Sequence, residues 1–127
     1  MRREILFVFI IGGVLAGCAS GGYPTQEQLA SNTFAECPRE YQAAIRARLS
    51  ANLIDPESAR FRFSTPRKYV YSGQFGQIVA VGLNAKNRFG GYVGEQVHEF
   101  MCFPDGSLRE INEIANGMRA GLGQAGY

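Results

Sequence analysis

The sequence predicts an α+β domain, with an N-terminal amphipathic helix packed on a three- to four-stranded antiparallel sheet. Three observations carry this expectation. Tyr41, Ile45, Leu49 and Leu53 recur every four residues, the stripe of a helix with one apolar face. From Arg60 onward the apolar period falls to two, the alternation of half-buried strands. The connections between those strands are short and rich in Gly, Asn and Pro, which suits hairpins and antiparallel pairing.

The helix is expected from near Thr33, with Pro38 early, where its missing N–H costs nothing. Arg39, Glu40, Arg46 and Arg48 lie mostly off the stripe. The helix must stop before Pro56, because a following proline disfavours the α region. Asp55-Pro56-Glu57-Ser58 then reads as a short fresh turn, with Asp55 as cap, Pro56 in first position and Glu57 at the positive end. Phe61 and Phe63 alternate with Arg60, Arg62 and Ser64 as a first strand, which Pro66 interrupts, and Lys68–Tyr71 continues as extended chain or a second short strand. Gly73 and Gly76 bracket a turn.

Residues 75–85 form the clearest strand. Phe75, Val79, Val81 and Leu83 share one face, and Ile78 and Ala80 the other. Residues 84–94 are rich in Asn and Gly, which tolerate positive φ, and connect to a partner strand over residues 92–103. There Val93, Val97, Met101 and Phe103 fall on one face, Phe100 and Cys102 on the other. Pro104-Asp105-Gly106 marks a turn before a last strand at residues 107–112. Ile114, Ala115, Met118 and Leu122 have loose helical spacing that Gly117, Gly121, Gly123 and Gly126 erode. The domain is therefore placed at residues 33–115, with a Gly-rich frayed tail at 116–127.

Residues 18–32 hold few large apolar side chains and read as a flexible tether with a reach of ~20 Å. Ahead of them, Arg2 and Arg3 precede an apolar run from Ile5 to Gly17, which ends at Cys18. That run is shorter than the roughly 20 residues a bilayer span needs and fits the ~7–15 of a secretory signal. Leu15-Ala16-Gly17-Cys18 resembles the lipobox of bacterial lipoproteins. The resemblance implies that residues 1–17 are a signal peptide, removed once the Cys18 thiol is acylated, so that the chain is membrane-bound through lipid. Ala19, where an Asp would favour the inner membrane in that class, implies the outer membrane, facing the periplasm. The alternative is an ordinary signal or membrane segment with a chance cysteine.

Cys37 and Cys102 remain. In an oxidising compartment an even pair reads as a disulfide, closing a loop of roughly 65 residues worth ~4 kcal/mol; two separate thiols are the alternative. The 127 residues carry a net charge of +2, of which Arg2 and Arg3 against Glu4 supply +1. Nothing in that balance points to nucleic acid.

Asp55-Pro56-x-Ser58-Ala59-x-Phe61 with Asn84-Ala85-Lys86-Asn87-x-Phe89-Gly90-Gly91-Tyr92-x-Gly94 resembles a family of small bacterial and phage-associated proteins, many with lipoprotein signals. That family has no established activity, so the resemblance implies fold alone.

The most function-like surface is the connection carrying Asn84, Lys86, Asn87, Arg88, Phe89 and Tyr92. Its amides, cations and rings suit a glycan or a peptide; the plain alternative is a turn whose aromatics pack on the sheet. Arg39, Arg46, Arg48, Arg60, Arg62, Arg67 and Lys68 form a basic group that reads either as a contact for an acidic partner or as a solvated face. His98 is the single histidine, with Glu95, Glu99 and Cys102 nearby. On a strand, positions four apart are ~13 Å apart, so no metal site or Cys–His pair is expected. Gly121-x-Gly123-x-x-Gly126 lacks the strand and helix that a dinucleotide site needs. No cofactor and no catalytic residues are expected. The expected function is a non-enzymatic envelope domain that binds another envelope protein; the alternative is a peptidoglycan or cell-wall-fragment module using Asn84–Tyr92.

Overall fold

The computed structural model describes residues 21–111. In chain order the elements are β1 (Gly21–Gly22), α1 (Gln26–Ser31), α2 (Tyr41–Ser50), a 3-10 turn (Pro56–Ser58), β2 (Arg60–Phe63), β3 (Arg67–Tyr71), β4 (Gln74–Asn84), β5 (Gln96–Cys102) and β6 (Leu108–Glu110). The class is α+β. The expected signal peptide at 1–17, Cys18, the loose helix expected around 114–122 and the frayed tail expected at 116–127 lie outside the described residues. No described helix is long and apolar enough to cross a membrane.

The sheet has six antiparallel strands, not three to four, in the order β1-β3-β4-β5-β6, with β2 also on β4. The extra strands have physical causes. β2 and β3 pair with successive halves of the same edge of β4, Arg60↔Asn84 to Phe63↔Val81 and Arg67↔Ile78 to Tyr71↔Gln74. These registers leave one extra residue on the β2–β3 side, a bulge. Ser64 fills the break: its N–H donates to Ala80 O at 2.8 Å, and its Oγ accepts from the Ala80 N–H at 2.9 Å. Pro66, which has no N–H to give the ladder, falls inside this break.

The core lies between α2 and one face of the sheet. Ile45 and Leu49 pack with Val79, Val81, Leu83, Ala85 and Phe100, flanked by Tyr41, Leu53, Phe61 and Phe63. The four-residue stripe is thus a core stripe. The helix itself is shorter than expected. Tyr41 N–H bonds Pro38 O at 3.0 Å in a turn that precedes α2, and Leu53 reaches the core from beyond Ser50. Cys37 and Cys102 form a disulfide that fastens the segment entering α2 to the end of β5. The Cys37 N–H also donates to Gln77 Oε1 on β4 at 3.0 Å.

Residues 21–32, expected as part of a featureless tether, are structured. Gly21 and Gly22 pair with Tyr71 and Val70, and α1 opens on a capping box. Thr25 Oγ accepts from the Gln28 N–H, and Gln28 Oε1 accepts from the Thr25 N–H, so two otherwise orphaned donors are satisfied reciprocally.

The turn expected between Gly73 and Gly76 lies one step earlier. Ser72 and Gly73 both have positive φ, 49° and 72°, as a two-residue hairpin of matching twist requires. Gly76 is inside β4, and a Cβ there would lie 2.0 Å from the Cys102 carbonyl oxygen. The partner strand starts at Gln96 instead of residue 92, because residues 92–95 leave the ladder after one bridge, Lys86↔Tyr92. The last strand covers only Leu108–Glu110 of the expected 107–112.

Candidate functional site

At the end of β4, Asn87 builds a tight turn. Its N–H donates to Gly91 O at 2.9 Å and its carbonyl accepts from the Gly90 N–H at 3.0 Å. Its Oδ1 accepts from the Phe89 and Gly91 N–H groups at 3.0 and 3.2 Å. Gly90 takes φ 79°, which a side chain would resist. The turn therefore presents Arg88 and Phe89 at its tip. Phe89 is 81% exposed, with the Arg88 guanidinium 5.0 Å from its ring centre.

The base of the loop is latched to the 3-10 turn. Tyr92 Oη donates to Ser58 O at 3.1 Å, and Ser58 Oγ accepts from the Lys86 N–H at 3.0 Å. Asp55 Oδ1 in turn accepts from the Ser58 N–H at 3.3 Å. The two sequence stretches 55–61 and 84–94 are thus one spatial unit. Arg60 brings its guanidinium 4.3 Å from the Tyr92 ring centre and Lys86 its ammonium 5.6 Å. Cations near an aromatic face gain roughly 0.5–1 kcal/mol at exposed sites.

The structure therefore gathers Lys86, Arg88, Phe89 and Tyr92 on one surface. Asn84 and Asn87 are not offered there. Asn84 Oδ1 is buried without a hydrogen-bond partner among the described residues, and Asn87 is occupied in holding the turn. Arg60 and Ser58 complete the surface. Sequence reading placed Arg60 in a diffuse basic group and missed its contact with the loop. The signal was available, since Ser58 and Tyr92 both belong to the paired motif.

The rest of the basic group is dispersed. Arg46 lies 4.9 Å from the ring centres of both Phe61 and Phe63, and Lys68 5.2 Å from that of Phe34. Arg62 pairs bidentately with Glu95 on the sheet face opposite α2. Hydrogen bonding from Arg62 holds the Glu95 carboxyl below its ordinary range, and Glu95 in turn raises the Arg62 guanidinium. Gly82 lies beneath this pair, where a Cβ would come 2.5 Å from the Glu95 carboxyl carbon.

His98, Glu95, Glu99 and Cys102 do not converge. His98 Nδ1 bonds Glu110 Oε1 at 2.6 Å across the β5–β6 hairpin, a pair missed from sequence. Glu95 belongs to Arg62 and Cys102 to the disulfide. Among the described residues no group of His, Cys, Asp and Glu could hold a metal ion. A cavity of about 120 Å³ bounded by Arg62, Phe63, Ser64, Ala80, Gly82 and Val97 is well below the ~300–1,000 Å³ of ordinary ligand pockets.

No protein family, curated protein or solved structure matches the chain.

Proposed function

We propose that this is a lipid-anchored cell-envelope lipoprotein of the outer membrane, with a small non-enzymatic domain that faces the periplasm and binds another envelope protein through the Lys86–Tyr92 loop and Arg60. The observation that carries the binding reading is Phe89. A phenylalanine held 81% exposed on a turn braced by four hydrogen bonds that involve Asn87 is costly in water and useful in an interface. Aromatics and Arg are the residues enriched at the energetic centres of such interfaces. The flanking cations favour a partner surface that is apolar at its centre and acidic at its rim. Asn87 Oδ1 holds the turn and Asn84 Oδ1 is buried, so the peptidoglycan reading ranks second. The anchor rests on the Leu15–Cys18 sequence alone.

A photoreactive phenylalanine analogue at position 89 tests the binding reading in intact cells. A defined protein adduct, weakened by Arg60→Ala or Arg88→Ala, is the expected result. Adducts to the sacculus instead favour peptidoglycan, and no adduct of either kind defeats the loop as a binding surface. Cys18→Ser is expected to abolish lipid labelling and to leave residues 1–17 uncleaved, both read from the mass of the protein.

A further inference from the structure

β1 starts three residues after Cys18. Extended chain covers at most ~3.6 Å per residue, so the Cα atoms of Cys18 and Gly21 lie within about 11 Å of each other. If Cys18 carries lipid, the β1 edge of the sheet is held at headgroup level and is not lifted clear of it. The side chains around that edge have interfacial chemistry. Tyr23 is 60% exposed and meets Tyr69 edge-on at 5.5 Å. The Arg67 guanidinium lies 4.9 Å from the Tyr23 ring centre and donates to its hydroxyl. Gly21 allows the strand to pass close to Tyr69 and Tyr71, since a Cβ there would lie 2.6 Å from Tyr69 Oη. Lys68, next along β3, points to the other face, over Phe34, so Arg67 is the cation of this face. Tyrosine rings with an apolar body and a wet hydroxyl collect at membrane interfaces, and nearby cations gain from lipid phosphate.

We propose that the Tyr23–Arg67–Tyr69 face docks on the bilayer and, with the acyl anchor, sets the orientation of the domain. This inference rests on the lipoprotein reading above. A three-residue link makes the docking intramolecular, so a weak contact suffices. Its consequence is geometric. The β1 edge pairs beside Tyr71, which pairs with Gln74 at the start of β4, and the Lys86–Tyr92 loop follows Asn84 at the other end. Arg67 of the docking face pairs with Ile78, and six residues of strand from there to Asn84, at ~3.3 Å each, place the loop ~20 Å further along β4.

The chain has no tryptophan, so Tyr23→Trp and Phe89→Trp each introduce a sole reporter. The full-length gene is expressed, and the matured protein is reconstituted in phosphatidylethanolamine–phosphatidylglycerol vesicles with brominated acyl chains. The tryptophan at position 23 is expected to lose most of its emission and shift to the blue, that at 89 to keep it. Arg67→Gln in the Tyr23→Trp background is expected to restore part of the emission. In the unsubstituted protein, amide exchange of residues 21–23 and 67–71 is expected to slow on vesicles, a readout independent of either tryptophan variant. Equal quenching at 23 and 89, or quenching at neither, in protein whose mass shows an acylated Cys18 overturns the docking and spares the anchor. A mass without acyl groups overturns both.

Discussion

The candidate surface depends on single residues whose side chains serve the backbone. Asn87→Ala removes the acceptor for two backbone N–H groups of the loop. It is expected to cost about 1 kcal/mol and to abolish the position-89 crosslink, whereas Phe89→Ala is expected to change stability by less than ~0.5 kcal/mol while abolishing binding. Thermal midpoints of the two variants separate turn from contact. Ser72 is the one non-glycine residue with positive φ among those described. Ser72→Gly relieves that conformation at the cost of a more flexible unfolded chain, so Ser72→Asn is the better test. It is expected to raise stability by a few tenths of a kcal/mol. Two carboxylates give a pH dependence of definite sign. Asp105 is lowered chiefly by the hydrogen bond from the Ser107 hydroxyl, then by the Ser107 N–H, and Glu95 by Arg62. A lowered folded value means the unfolded chain binds more protons between the two values. The stability these groups contribute is therefore fully present above their ordinary values of 3.8 and 4.5. It is lost as pH falls through those values toward the lower folded ones. Urea midpoints measured from neutral pH into acid are expected to fall less steeply in Asp105→Asn.

At the scale of elements, the disulfide joins the segment entering α2 to the end of β5. Residues 33–40 are not helical, and Cys37 ties them to β5 across a separation of 65 residues. Cys37→Ser with Cys102→Ser is expected to cost about 2–5 kcal/mol, read as a lower urea midpoint, and reduction of the unsubstituted protein is expected to reproduce it. Much of the element plan was legible because side chains announce it: the four-residue stripe of α2, the alternation in β2 and β4, the turn at Pro104–Gly106. What escaped reading was carried by backbone or by register. Gly21 and Gly22 have no side chains to show a period, and the rings of Tyr69 and Tyr71 lie against Gly21. The α1 capping box was visible as Thr25-x-x-Gln28, but no apolar stripe follows it, so nothing drew attention to a helix. The pairs His98–Glu110 and Arg62–Glu95 join residues 12 and 33 apart and become neighbours only once hairpin register is known. The loop was recognised as a surface, yet the Asn87 amide was assigned to a ligand when the turn itself needed it, since Asn is favoured in turns for just that local bonding.

At the scale of the whole molecule, β4 is the axis. It pairs with β2, β3 and β5, carries Val79, Val81 and Leu83 into the core, and has the proposed membrane-facing edge at its start and the proposed binding loop at its end. A domain arranged in this way works as a spacer of fixed length, and the short link from Cys18 to Gly21 is what makes its height definite. Lengthening that link separates height from fold. Ten Gly-Ser residues inserted between Ala19 and Ser20 add a flexible coil with a mean span of about 17 Å. The insertion precedes the first described strand, so the thermal midpoint is expected to stay that of the original chain. The effective concentration of the Tyr23–Arg67–Tyr69 face at the bilayer falls with linker length, so quenching of a tryptophan at position 23 is expected to weaken. The loop is then no longer held at one height, and crosslinking from position 89 to a partner at a fixed distance from the membrane is expected to fall although the loop is intact. Unchanged crosslinking with weakened quenching separates the two roles, and shows that the loop reaches its partner without the domain being oriented by the bilayer.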